Sequence, residues 1–145
     1  MKRIFIFTLV MGAILLVACS GSTAPAASSE VVGKKISVSG GEYTDVSVAE
    51  LQTMLENKDF TFVNVHIPFE GDIPNTDLTI PFDEIDQNLD QLPADKDAKI
   101  VLYCRSDRMS GIAAETLVEL GYTNIWNLDG GFNDWEGAGL PLERE

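Results

Sequence analysis

The sequence predicts an α/β fold, with a mainly parallel sheet of about five strands covered by helices on both faces. Three observations carry this reading. Short apolar, β-branched runs alternate with segments of helical spacing over about a hundred residues, and such alternation builds parallel sheets with helices on each side. Two of the runs, Phe60 to Val65 and Lys99 to Tyr103, are apolar at nearly every position, as strands buried on both faces are. The length of 145 residues and a hydrophobic content of 45% suit one domain rather than a disordered or fibrous chain.

The chain opens on a segment of a different kind. Met1-Lys2-Arg3 is a short positive head, and Ile4 to Val17 is apolar apart from Thr8 and Gly12. A basic head, an apolar run of about fourteen residues and a small residue before a cut make up a secretory signal, too short to span a membrane comfortably. Leu16-Val17-Ala18-Cys19 resembles the bacterial lipobox, whose cysteine sulfur receives a diacylglyceryl group and becomes the mature N-terminus. The expected division is a lipoprotein signal peptide at 1–18, a lipidated Cys19 with a flexible tether over 19–35, and a folded domain over 36–145. Ser20 to Glu30 is small and polar, with nothing to bury, which fits a tether. The lipobox resemblance implies an extracytoplasmic protein, held on a bacterial membrane through its lipid anchor.

Within the folded part, Glu42 to Asp45 reads as a short opening strand. Ser47-Val48-Ala49-Glu50 is a capping box that starts a helix running to about Asn57, with Val48, Leu51, Met54 and Leu55 on one face. Phe60 to Val65 is the next strand. Ile67 to Pro81 holds three prolines and a glycine and reads as loop, with Leu78-Thr79-Ile80 a short strand inside it. Asp83 to Leu92 carries Ile85, Leu89 and Leu92 at helical spacing. After the strand Lys99 to Tyr103, a helix is expected over Ser110 to Leu120, with Ile112, Ala113, Thr116, Leu117 and Leu120 inward and Gly121 closing it. Asn124 to Leu128 is another strand, and Asp129-Gly130-Gly131 turns into a last short helix containing Trp135. Right-handed crossovers then gather the C-terminal strand ends on one edge, and both Cys104 and His66 fall there.

Composition excludes several classes of function. Ten basic and twenty-three acidic side chains give a net charge of −13, which becomes −15 if Lys2 and Arg3 leave with the signal. No basic face exists to meet a phosphate backbone, so nucleic acid is not an expected partner. Two cysteines make neither a disulfide framework nor a four-thiolate zinc site. The acidic runs Asp83-Glu84 to Asp90 and Asp95 to Asp97 lack the spacing of a calcium loop and read as solvated faces. Trp126 and Trp135 read as packing residues.

Cys104 ends a buried strand, and Arg105-Ser106-Asp107-Arg108-Met109 leads from it into a helix. A thiol in that place faces the amide end of the helix, with two cations nearby, conditions that favour a thiolate nucleophile. If Cys19 is lipidated, Cys104 has no intramolecular disulfide partner. From these residues alone, a nucleophile and a buried structural cysteine stand level.

Longer stretches resemble the rhodanese domain family. Ile100-Val101-Leu102-Tyr103-Cys104-Arg105-Ser106, with Ser110-Gly111-Ile112-Ala113-Ala114-Glu115-Thr116-Leu117 and Leu120-Gly121-Tyr122, is similar to the family's active-site strand, loop and helix. Leu128-Asp129-Gly130-Gly131-Phe132-Asn133-Asp134-Trp135, followed by Gly139-Leu140-Pro141-Leu142, resembles its closing motif, and Gly71-Asp72-Ile73-Pro74 resembles its Gly-His-Ile-Pro segment. The resemblance implies the rhodanese-like three-layer fold and a sulfurtransferase activity. Cys104 would attack a sulfane sulfur donor such as thiosulfate or a persulfide, become a persulfide, and pass the outer sulfur to a thiol or a cyanide-like acceptor. The loop Arg105, Ser106, Asp107, Arg108, Met109, Ser110 would cradle the sulfur with its amides, Arg105 and Arg108 being candidate donor-binding cations. Such covalent catalysis implies no metal and no cofactor. Its partners would be small sulfur donors and acceptors, with a protein thiol as a further candidate.

Four positions in the loop and at a strand end depart from the family pattern. The usual glycine three residues after the cysteine is Asp107, and a common arginine five residues after is Met109, with Arg108 one position early. An Asp107 carboxylate turned toward the thiolate would oppose both it and an anionic donor. The strand-end Asp-Val-Arg reads Asn64-Val65-His66, and His66, the only histidine, is a candidate proton carrier for a thiol acceptor. Ser110 occupies the place where related cysteine phosphatases need an arginine, which argues against phosphatase chemistry. The reading from another class is a non-catalytic rhodanese-like binding or regulatory module at the cell envelope.

Overall fold

A computed structural model describes residues 30–144. The expected signal peptide, the expected lipidation site Cys19 and the part of the expected tether up to residue 29 lie outside the described residues. Among the described residues six strands form one sheet: β1 (Lys34–Val38), β2 (Gly41–Val46), β3 (Thr61–Asn64), β4 (Leu78–Thr79), β5 (Ile100–Tyr103) and β6 (Ile125–Leu128). Their spatial order is β1-β2-β6-β5-β3-β4. The β1–β2 pair is antiparallel and every other pairing is parallel.

The helices are α1 (Val48–Glu56), α2 (Arg108–Glu119) and α3 (Gly131–Gly137). Alternation along the buried strands divides the core into two layers, because successive side chains leave a strand on opposite faces. From β5, Ile100, Leu102 and Cys104 join the layer under α2, whereas Val101 and Tyr103 join the layer with Leu51 of α1 and Phe132 and Trp135 of α3. The result is three layers around a sheet whose central strand, β5, is wholly buried.

The capping box forms as read. Ser47 Oγ accepts from the Glu50 amide, and Glu50 Oε2 accepts from the Ser47 amide at 2.9 Å. Elsewhere the structure corrects the reading. Among the described residues the sheet has six strands against about five expected, the additional one being β1, which begins at Lys34. Its Lys34, Lys35 and Ser37 are polar, as edge strands often are, which masks the alternation. Phe82–Gln87 forms a 3-10 helix, not an α-helix, although Ile85 and Leu92 are buried as their spacing suggests. Helix α2 starts at Arg108, two residues ahead of Ser110, and its buried side is Ser110, Ala113, Ala114, Leu117 and Val118. Ile112 and Leu120, expected inward, are exposed.

Candidate active site

The parallel sheet brings the ends of β3 and β5 together. Asn64 pairs with Tyr103, and the Val65 amide donates to the Tyr103 carbonyl at 2.9 Å, so Val65-His66 and Cys104 leave the sheet side by side. Cys104 is 1% exposed. Its Sγ accepts a hydrogen bond from the Asp107 amide at 3.1 Å, and Ser110 Oγ lies 3.3 Å from it. The Ser110 hydroxyl is also 3.0 Å from the Asp107 carbonyl, and its single proton serves one of the two at a time. The start of α2, with its partial positive charge, therefore points at the sulfur.

Above the thiol is a cavity of about 410 Å³ lined by His66, Cys104, Arg105, Ser106, Arg108, Met109 and Asn133. Arg105 reaches Glu70 at 3.4 Å, whereas Arg108 forms no ion pair among the described residues. His66 is buried, with its ring edge-to-face against Phe132 at 5.3 Å. Its Nε2 lies 3.2 Å from Glu70 Oε2 without hydrogen-bond alignment, and Nδ1 has no partner among the described residues. Glu70, which sequence reasoning missed, thus links His66 to Arg105.

Asp107 occupies a backbone conformation that favours glycine, with φ 95°. Its carboxylate does not line the cavity. Instead Asn127 Nδ2, on the neighbouring β6, donates to Asp107 Oδ1 at 2.5 Å and to Asp45 Oδ1 at 2.9 Å. Burial first, then the nearby Asp107 and Asp129 charges, raise the Asp45 carboxyl above its usual range, while the Asn127 bond works in the other direction. Turning the amide over would set Asn127 Oδ1 against two carboxylates, so its orientation is dictated even though Oδ1 is left buried without a partner.

The second departure, at Asn64, is also accommodated. Asn64 Nδ2 donates to the Gly71 carbonyl at 3.0 Å and to Asp72 Oδ1 at 2.9 Å, and Oδ1 accepts from the His66 amide. An aspartate there would have no proton to give either acceptor. Asn64 and Asp72, the latter standing at the histidine of the Gly-His-Ile-Pro pattern, are therefore two halves of one contact, which orients the chain entering His66.

The loop is braced from below. The amides of Phe132 and Asn133 in α3 donate to the carbonyls of Cys104 and Arg105 at 2.9 and 3.0 Å. This approach requires glycine at 131, where a Cβ would lie 2.3 Å from the Cys104 carbonyl oxygen.

The sequence profile of the rhodanese-like domain family matches residues 47–138, more than half of the chain. A protein of Allochromatium vinosum named sulfurtransferase is 34% identical over 94 residues, covering 63% of this chain and 85% of that one. A tRNA uridine(34) hydroxylase of Erwinia tasmaniensis is 29% identical over 107 residues, covering 67% of this chain but only 31% of its own length. Among solved structures, a rhodanese-related protein from Thermoplasma volcanium superposes with a TM-score of 0.59 at 30% identity, covering 70% of this chain and 98% of that one. A rhodanese-like domain protein from Staphylococcus aureus gives 0.56 at 31% identity, covering 70% and 97%.

Proposed function

This chain belongs to the rhodanese-like domain family, and from that membership we propose that it is a sulfurtransferase carrying sulfane sulfur as a persulfide on Cys104. The observation that carries the reading is the setting of Cys104 Sγ. It has the Asp107 amide at 3.1 Å and the Ser110 hydroxyl at 3.3 Å, on the floor of a cavity that Arg105 and Arg108 line.

The Cys104 thiolate attacks the outer sulfur of a donor such as thiosulfate. A new S–S bond forms as the donor's S–S bond breaks, and sulfite leaves with the bonding electron pair. An acceptor thiolate or cyanide then attacks the outer sulfur of the persulfide, and Cys104 returns as thiolate. The Asp107 amide and the Ser110 hydroxyl stabilise the sulfur anion in each free-enzyme state, while Arg108, in no ion pair among the described residues, supplies charge for an anionic donor. When the acceptor arrives as a neutral thiol, its proton has to be removed, and His66 with Glu70 behind it is the nearest base lining the cavity.

In the full-length chain, Cys104→Ser is expected to abolish thiosulfate-dependent sulfur transfer to cyanide in a colorimetric turnover assay. Turnover retained by that variant overturns the reading, and absence of turnover in the parent chain with every donor tried favours the binding module. The lipobox-like sequence extends the proposal to lipidation at Cys19 and an extracytoplasmic site on the membrane. Cys19→Ser should then move the protein from the membrane fraction to the soluble fraction, and no change in partition rejects the anchor.

A further inference from the structure

We propose that Asn127 is a positioning residue for the Cys104 site: it withholds the Asp107 carboxylate from the thiolate and so keeps the cavity open to anionic sulfur donors. The proposal rests on the assignment of Cys104 as the reactive thiol. It concerns a residue on another strand, 20 positions from Asp107, that never touches the sulfur.

The geometry sets the problem. The Asp107 amide donates to Cys104 Sγ at 3.1 Å, so the side chain of the same residue is close enough to bring a full negative charge within about 7 Å of the sulfur. At φ 95° the side chain leaves the loop toward β6, where the buried Asn127 is the donor that receives it. The other side of Asp107 is not neutral ground, because Asp45 accepts from the same Nδ2 group and Asp129 adds charge nearby. Among the described residues no ion pair holds Asp107. Without the Asn127 amide the carboxylate has two like charges behind it, and ahead of it the cations of the cavity, Arg105 and Arg108. Electrostatics would then drive it inward, across the path of any anionic donor.

The test compares alkylation of Cys104 by iodoacetate, an anion, with alkylation by neutral iodoacetamide. In both reactions the sulfur displaces iodide and forms a C–S bond, so general changes in exposure cancel in the ratio of rates. The full-length chain is used, and adducts are read in the tryptic peptide Ile100–Arg105, which excludes Cys19. Asn127→Leu, which keeps the volume, is expected to lower the iodoacetate-to-iodoacetamide ratio about two- to three-fold, the effect of moving one unit charge from about 8 to about 5 Å in a dielectric of about 40. Adding Asp107→Gly should return the ratio to the parent value or above. Asp107→Glu, whose longer side chain overshoots the Asn127 amide, should lower the ratio on its own and decides the matter if Asn127→Leu does not fold. A ratio unchanged in the folded variants, or not restored by Asp107→Gly, overturns the proposal. Because alkylation needs no sulfur transfer, a shifted ratio in a protein that transfers no sulfur leaves this inference standing and removes the function proposed above.

Discussion

Two turns of the same design lie side by side at the C-terminal edge of the sheet. Each leads from a buried parallel strand into a helix, and each passes through positive φ: Asp107 at 95° between β5 and α2, and Gly130 and Gly131 at 75° and 59° between β6 and α3. They differ in what their amides face. Amides at the start of α3 are used on the carbonyls of Cys104 and Arg105, whereas the Asp107 amide ahead of α2 is aimed at a side-chain sulfur. The turn into α3 is a buttress and the turn into α2 a candidate site. Glycine serves in the buttress, where backbone meets backbone at a distance that no Cβ permits. In the site, an aspartate takes up a strained conformation and is held by an amide from the buttress's own strand, β6. Binding chemistry thus comes from where the donors are pointed, not from the turn itself.

The comparison breaks most severely at Gly131. Gly131→Ala is expected to cost about 3–5 kcal/mol in chemical denaturation, combining a backbone clash with left-handed strain, and a loss below about 1 kcal/mol would contradict the buttress. Next is Asp107. Asp107→Ala and Asp107→Gly both lose the Asn127 bond, but only alanine is strained at φ 95°, so it should be the less stable by about 1–2 kcal/mol; equal midpoints would show that no strain is stored there. Cys104→Ser should leave stability within about 1 kcal/mol of the parent while removing the chemistry, and loss of the fold would make the residue structural instead.

The smallest effect concerns Asp45. Its carboxyl is raised above the ordinary 3.8 mainly by burial, so ionising it works against the fold. Below pH 3.8 the group is protonated in both folded and unfolded chains and contributes nothing. As pH rises through its raised folded value, the parent loses stability that Asp45→Asn keeps. Thermal melts should therefore coincide at low pH, and at pH 7 the variant should melt higher by up to about 4 °C. A variant that melts lower at pH 7 reverses the sign.

Local signals were readable in the sequence and distant ones were not. The capping box at Ser47 and Glu50 needs residues three apart, and the apolar run ending at Tyr103 names a central strand by itself. The strand ending at Cys104 and the turn into a helix after it are legible because they follow one another along the chain, although α2 takes in Arg108, Met109 and Ser110 of the expected loop and only the Asp107 amide donates to the sulfur. What escaped depends on sheet order. Asn127 meets Asp45 across 82 positions and Asp107 across 20, and only the adjacency of β2, β6 and β5 brings the three together. The concern that Asp107 would oppose the thiolate is answered by that neighbour and by nothing in the loop. Asn64 is similar: it departs from the family pattern in isolation, and becomes sensible once Asp72 is seen beside it. Strand β1 was missed for another reason, since its edge position lets polar residues stand where alternation would otherwise show.

The account rests on Cys104 as a sulfur carrier. Incubating the full-length chain with thiosulfate and weighing the peptide Ile100–Arg105 under non-reducing conditions tests this most directly. One added sulfur atom on Cys104 is expected, removed by cyanide and absent in Cys104→Ser. A folded protein whose free Cys104 takes up no sulfur from thiosulfate or from a polysulfide would contradict it.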